Sequence, residues 1–412
     1  MTSASQSLPA YALFAALLAS AGLPIYIHAP KFFVDEYGVS LAALGSVLFG
    51  LRLLDVVQDP LLGRLSEKLR DQRGLAVGIA SGLMALSMFA LFAIPPLLPP
   101  LVWFGLTLTG VFSAFSFLTI CFYAQGVAKA GTLPGSGHLS LARWRETGAL
   151  LGVCAASVAP VGFGLFIGAP FSGFAVGFGV LALASVVAMR AEWRSVGLPA
   201  ATGFGTVLRD PIARRLLLIA LLNAAPVAVS STLFLFYVEG ALEAPGWEGP
   251  LLLLFFLSAA AAAPFWGVLA ERHGAKTVLL GAMVLAIASL GGALFLGAGD
   301  AWLFALVCIG SGAALGADLT LLPAMFATRM AVIAPSAAEG FGLWSLVSKF
   351  TLAFAAVTLL PTLQMSGFES GATNNPPSAV TMLIWLYAGL PCMLKLLAIA
   401  LLVGTRLEKE KT

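Results

Sequence analysis

The chain is a succession of apolar blocks about 20 residues long, separated by short polar breaks. That is the length an α-helix needs to cross a bilayer. Twelve blocks are legible, at roughly 9–29, 41–63, 74–95, 101–124, 143–167, 172–190, 214–237, 250–270, 276–297, 301–328, 338–363 and 379–404. Proline and glycine inside them are ordinary for membrane helices. The longest polar break, AEWRSVGLPAATGFGTVLRDPIA at 191–213, falls at the midpoint and divides the blocks six plus six. The expected fold is an all-α integral membrane protein with twelve transmembrane helices in two six-helix bundles. The expected domains are 1–190 and 214–412, joined by a central cytoplasmic loop at 191–213.

The first block, PAYALFAALLASAGLP, ends in small residues as a signal peptide would. Residues 1–10 hold no Lys or Arg, however, so the basic region of a signal peptide is missing. The apolar run also continues through Tyr26 and Ile27. It reads as a first helix that is retained.

Composition strengthens the membrane reading. Of 412 residues, 60% are hydrophobic and only 10% charged, against about 25% charged in a soluble protein. The mean hydropathy is +0.99. The net charge of +3 says less than its distribution. No basic patch is interleaved with aromatics, so nucleic acid is not an expected partner; membrane lipid and a small solute are. Cys121, Cys154, Cys308 and Cys392 lie far apart in apolar runs and read as small buried hydrophobes. His28, His138 and His273 are scattered. No nucleophile–base pair, metal-ligand cluster or cofactor motif is visible, so an enzyme is not expected. The chain is expected to be a monomer.

Lys and Arg mark the orientation. Arg64, Lys68, Arg70 and Arg73 fall between spans two and three, Lys129, Arg143 and Arg145 between four and five or at the start of five. Arg190, Arg194, Arg209, Arg214 and Arg215 belong to the central loop, Arg272 and Lys276 lie between eight and nine, and Arg329 follows ten. Arg406, Lys409 and Lys411 form the tail. All fall on one side. The opposite loops carry Lys31 alone, beside acids such as Asp35, Glu36, Glu239, Glu243, Glu248, Asp300 and Glu369. A cell inner membrane, with both termini cytoplasmic, is the expected setting.

The halves also repeat. GRLSEK follows span two from Gly63, and GVLAER follows span eight from Gly267, both reading G-x-L-x-E-[KR]. Parallel six-helix halves are the sign of a secondary transporter with its site between them near mid-membrane.

The second block contradicts its own apolarity. Arg52, Asp55 and Asp59 lie in LAALGSVLFGLRLLDVVQDPLLG, and each costs on the order of 2.5–3.5 kcal/mol to insert. Steps of three and four residues put all three on one helical face. That face must look into protein or a water-filled cavity. The three charges sum to −1, and an approaching Lys349 would bring the sum to zero. One bound proton or cation changes that balance by a unit, which a low-dielectric site makes expensive to leave unpaired. Cation occupancy can thereby favour one packing of the halves over another. The bland reading is an ion-pair network locking helix two to helix eleven.

The six-plus-six pattern resembles the major facilitator superfamily along the whole chain. RLLDVVQDPLLG, from Arg52, is similar to the R-x-x-D-x-x-x-D-P-[IL]-[ML]-G segment of the glycoside–pentoside–hexuronide:cation symporters. GLWSLVSKFTLAFAA resembles that family's helix eleven with its single lysine, here Lys349. The resemblance implies a cation site at Asp55 and Asp59, with Lys349 beside it. ICFYAQG on helix four aligns a sugar-stacking aromatic position with Tyr123, and RETGALLG on helix five aligns a sugar-binding arginine with Arg145. The chain also departs from the family. The helix-four acid shared by sugar and cation falls at Thr119, the helix-one sugar acid at Ala19, and a helix-ten tryptophan at Leu319. TRMAVIAPSAAE replaces the acidic stretch after helix ten. The coupling ion is expected to be a proton or sodium, with no other metal; a proton needs a single carboxylate and no cage.

Further intramembrane polar residues extend the candidate site. Asp318, in GSGAALGADLTLLP, lines a cavity or bonds a neighbouring helix. Glu146 follows Arg145 as a neutralising partner or a ligand. Trp344 and Tyr26 stack a sugar ring or fill the core, the core being favoured. Lys395 is expected to snorkel towards the nearer surface. The two G-x-L-x-E motifs are expected to latch helices on the cytoplasmic side. The expected function is cation-coupled symport of a small polar solute, a sugar, glycoside or sugar acid, by alternating access. An exporter or uniporter of the same fold, or a membrane sensor that transports nothing, are the rivals.

Overall fold

A computed structural model describes residues 8–22, 29–30, 32–34, 36–133, 137–193, 203–334, 337–368 and 375–405. Twelve long helices account for nearly all of it. They are α1 (Leu8–Ser20), α2 (Leu41–Lys68), α3 (Arg73–Phe92), α4 (Pro100–Ala130), α5 (Gly137–Ile167) and α6 (Pro170–Met189). After the short helix Phe204–Arg209 follow α7 (Pro211–Gly240), α8 (Glu248–His273), α9 (Ala275–Gly292), α10 (Ala301–Ile333), α11 (Ala338–Met365) and α12 (Pro377–Val403). Among the described residues there is no strand. The twelve-helix expectation holds, with each helix on its predicted block. Tyr26, Lys31, Asp35, Arg194, Glu369, Arg406, Lys409 and Lys411 lie outside the described residues, as does the side chain of Arg52.

The helices are inside-out by soluble standards. On α3, Leu75, Ile79, Leu83 and Leu86 form an exposed apolar stripe at helical spacing, while Val77, Met84 and Met88 are buried behind it. Such a stripe on a soluble protein would aggregate; against acyl chains it is at home. Eight of the twelve helices are long and apolar enough on composition to cross a membrane.

Two compact units are present, Met1–Val207 with Ala327–Leu346, and Leu208–Phe326 with Val347–Thr412. The first unit has an aromatic core in which Phe122 of α4 packs on Tyr11 and Phe14 of α1, and Trp193 closes on Phe14. In the second, Tyr387 stacks on Tyr237 with centroids 4.1 Å apart, and the Tyr237 hydroxyl donates to the Ala293 carbonyl at 2.7 Å. Tyr387 sits in a π-helical turn, Trp385–Gly389, inside α12. Pro391 accounts for the turn. It has no N–H for the Tyr387 carbonyl, and its ring crowds that carbonyl. The Leu390 N–H bonds back to the Trp385 carbonyl instead.

Between helices that share an apolar solvent, close approach replaces the hydrophobic drive. Gly148 and Gly152 on α5 form a GxxxG pair against α1. A Cβ on Gly152 would stand 2.5 Å from the Ala16 carbonyl oxygen, and one on Gly148 would collide with that of Ala12. In the second unit Gly312 and Gly316 on α10 form another GxxxG pair against α8. A Cβ on Gly316 would stand 2.6 Å from the Ala259 carbonyl oxygen, and one on Gly312 would collide with that of Phe255. A further pair of contacts repeats between the units: Gly110 of α4 abuts Ser87 of α3, and Gly310 of α10 abuts Ser289 of α9. The internal repeat seen at Gly63 and Gly267 therefore continues into packing.

The contacts of Gly148, Gly152, Gly312 and Gly316 are with backbone atoms, which no side-chain rotation can move aside. Gly148→Val and Gly312→Val should each destabilise the purified protein by the overpacking cost of about 1–3 kcal/mol, read as a lower melting midpoint. Gly281→Ala, where nothing lies within 4 Å, should leave it unchanged or slightly raised.

Candidate functional site

Helix α2 starts under a cap, with Ser40 accepting from the Ala43 N–H at 3.3 Å, and runs unbroken through both acids. Pro60 lies inside it and removes the helical donor to the Val56 carbonyl, between the two carboxylates in sequence. Asp55 is 2% exposed and Asp59 is 0% exposed. The Asp55 Oδ1 accepts from Gln58 Nε2 at 2.8 Å. Gln58 Oε1 in turn accepts from the Ser113 hydroxyl of α4 at 3.0 Å. The Asp59 Oδ2 accepts from the Ser345 hydroxyl of α11 at 2.6 Å.

Two glycines let the first turns of α11 come that close. A Cβ on Gly342 would stand 3.3 Å from the Asp59 carbonyl oxygen, and one on Gly63 would stand 3.3 Å from that of Ala338. Gly63 opens the repeated G-x-L-x-E motif, so the motif contributes close packing between α2 and the start of α11. Lys349 is buried on α11 and belongs to the second unit. Trp344 is half-buried on the same helix, in the first unit.

A second group lies on α4 and α5. Arg145 and Glu146 are both buried. Neighbours along a helix do not face each other. Arg145 reaches its neighbour sideways, Nε donating to Glu146 Oε1 at 2.7 Å. Its guanidinium lies over the Tyr123 ring, 3.9 Å from the centroid, and the Tyr123 hydroxyl donates to the same Glu146 oxygen at 3.2 Å. Charge pairing and cation–π contact together stabilise a cation in low dielectric. The pairing is incomplete: Arg145 Nη2 is buried without a hydrogen-bond partner, as are the hydroxyls of Thr119 and Thr147. Thr119 lies four residues before Tyr123, on the same face of α4. The unused donors at Arg145, Thr119 and Thr147 are the kind of group a hydroxylated or anionic ligand would satisfy.

The structure thus brings Tyr123, Arg145 and Glu146 into contact, and seats Asp55 and Asp59 in hydrogen-bonded positions one turn apart. Asp318 belongs to the second unit, where it pairs with Lys395 and Asn223. The snorkelling expected of Lys395 does not occur. It is 2% exposed, because Asp318 and Asn223 offer the ammonium partners inside the protein.

Several polar contributors have partners that nothing near them in sequence announces. Gln58 lies between the acids in VVQDP, and its spacing of three from Asp55 is the one clue. Arg73 reads as an ordinary loop cation yet is buried, donating from Nη1 to Gln125 Oε1 at 3.3 Å. Gln125 donates to the Glu192 carbonyl. The Glu192 carboxylate accepts from Lys129 at 3.1 Å and from the Tyr11 hydroxyl at 3.3 Å. Residues 192 and 193 are thereby tied to α1 and α4.

With this geometry in place, comparison with known proteins gives the family. The profile of the MFS/sugar transport protein family matches residues 9–409. The chain belongs to that family. It is therefore a multi-pass membrane transporter with the major facilitator fold, and not an enzyme. A bacterial homologue of the iron transporter ferroportin, crystallised in an outward-facing state, superposes with a TM-score of 0.69 at 17% identity. The match covers 96% of this chain and 98% of that one. The Escherichia coli fucose:proton symporter superposes with a TM-score of 0.63 at 14% identity, over 96% of this chain and 99% of that one. At such identities the likeness is one of fold. No curated protein sequence matches the chain.

The Arg145–Glu146 pair makes a stability prediction. Glu146→Gln strands a buried guanidinium and should destabilise the purified protein by about 3–5 kcal/mol. Arg145→Met/Glu146→Gln, which removes both charges, should recover much of that loss in a thermal melt.

Proposed function

We infer that this transporter is a symporter, coupling a proton or sodium ion to a small polar organic solute of the sugar, glycoside or sugar-acid class. The observation that carries the reading is the pair of acids on α2. Two carboxylates one turn apart, 2% and 0% exposed inside a membrane helix, are costly unless a cation is part of their cycle. Asp55 and Asp59 are the coupling site in this reading, which also takes Thr119 as a ligand and Arg52 and Lys349 as counter-charges.

Tyr123, Arg145 and Glu146 form the solute subsite, with Trp344 as a further aromatic. The incompletely paired guanidinium suits a hydroxyl or carboxylate, and the Tyr123 ring beneath it holds that guanidinium in place. The family's description as sugar transporters and the fold shared with a fucose:proton symporter support the same class. The α2 motif, RLLDVVQDPLLG, supports the narrower likeness to the glycoside–pentoside–hexuronide:cation symporters.

The solute crosses by alternating access. Changing the charge of a low-dielectric site by one unit shifts the balance between two packings by the differential affinity of the ion for them. The Lys/Arg bias of the loops supports an inner-membrane location with both termini in the cytoplasm. An iron cargo, suggested by the ferroportin homologue, is less well supported: among the described residues no three His, Cys, Asp or Glu side chains gather to hold a metal.

The test is uptake into proteoliposomes under separately imposed proton and sodium gradients, with monosaccharides, glycosides and uronates as solutes. Wild-type protein should accumulate a member of this class under one of the two gradients. Asp59→Asn should abolish accumulation while preserving solute exchange, and Arg145→Ala should abolish both. No gradient-driven uptake, together with an Asp59→Asn variant that behaves as wild type, would sink the symport reading.

A further inference from the structure

The second unit contains a buried ionic site that the transport reading does not use. Asp318 lies near the middle of α10, Asn223 on α7 and Lys395 on α12. They are 8%, 4% and 2% exposed. The Lys395 ammonium donates to Asp318 Oδ2 and to Asn223 Oδ1, linking three helices. These residues are 77 and 172 positions from Lys395 in sequence, so the site is made by the fold. The π-turn at Trp385–Gly389 precedes Lys395 on α12, and it sets the phase at which the lysine meets α7 and α10.

Two features distinguish this site from a plain ion pair. The first is the oxygen set. A carboxylate and an amide carbonyl converge on one point, and these are the hard ligands that Na⁺ and K⁺ take. The net charge of the set without the lysine is −1, which matches a monovalent cation. The second feature is that Asp318 Oδ1 is buried with no hydrogen-bond partner. A carboxylate evolved only to hold one ammonium could spend both oxygens on it or on a neighbouring donor; here one oxygen is left over, facing no donor.

We propose that Asp318 and Asn223 form a monovalent-cation site whose resident ion is the chain's own Lys395 ammonium. The lysine is a tethered cation: it occupies the position, neutralises Asp318, and makes the second unit independent of external ions. This inference stands apart from the coupling role of Asp55 and Asp59 and survives if that role fails. It implies a latent binding activity. Shortening the lysine stem vacates a pocket lined by the same oxygens, and a small free cation then takes the ammonium's place. Removing one partner of a buried pair otherwise leaves an uncompensated charge.

The experiment uses full-length purified protein in an Asp55→Asn/Asp59→Asn background, so that cations at α2 do not contribute. Lys395→Ala and its Asp318 parent are melted in choline chloride, then with rising sodium, potassium or methylammonium chloride. Lys395→Ala should melt lower than its parent in choline. Its midpoint should then rise and saturate with at least one of the three small cations, as ligand linkage requires. The parent should show no such rise, and Lys395→Ala/Asp318→Asn should lose it. A Lys395→Ala protein with no cation-dependent gain beyond its parent overturns the proposal. So does an equal gain in the double variant. Failure of Lys395→Ala to fold in any of the four salts overturns it as well, because the vacated site then accepts no free ion.

Discussion

A charge carried into the membrane on an apolar helix must find its partner inside the protein. Water is absent, lipid offers nothing, and each unsatisfied group costs several kcal/mol. Much of this structure follows from that constraint. Asp55 finds Gln58, which is itself held by Ser113; Asp59 finds Ser345; Arg145 finds Glu146 and the face of Tyr123; Lys395 finds Asp318 and Asn223. In the last case the partners come from three helices, so the helices cannot be placed independently of the charges.

Such partners meet only if backbones approach closely, and small residues provide that. Gly63 and Gly342 let the start of α11 settle on α2, which brings Ser345 to Asp59. Gly148 and Gly152 seat α5 on α1, and Gly312 and Gly316 seat α10 on α8. Arg145 and Asp318 ride on those same two glycine-bearing helices. At α2 and α11 the glycines set the distance and a buried acid uses it; Arg145 and Asp318 instead find their partners on helices other than the ones their glycines touch. The repetition of Gly110 against Ser87 by Gly310 against Ser289 shows the same packing rule applied in both units.

The twelve helices were legible because membrane crossing needs a fixed apolar length, and that length repeats along the chain. The acids of α2 were legible because a charge in such a block is an anomaly, and steps of three and four residues gave them one face. The grouping of Tyr123 with Arg145 came through family likeness, and the contact between them rests on the crossing of α4 and α5. What was not legible depends on long-range packing. Nothing near Lys395 in sequence announces Asp318 or Asn223, so a lysine two-thirds along an apolar helix reads as a snorkeller. Arg73 likewise reads as a surface cation, because Gln125 and Glu192 arrive from distant segments. Gln58 is silent in the sequence for a different reason: an amide beside two acids carries no charge, although its hydrogen bonds fix one of them.

Symport requires the α2 carboxylates to change state when a coupling ion arrives. Infrared difference spectroscopy of the purified protein reads carboxyl groups directly, in the absence of any solute. The account predicts a carboxyl band that changes on lowering pH or on adding sodium, and that is lost or shifted in Asp55→Asn and Asp59→Asn. A spectrum unmoved by either ion, or one whose changes persist undiminished in both variants, would contradict it.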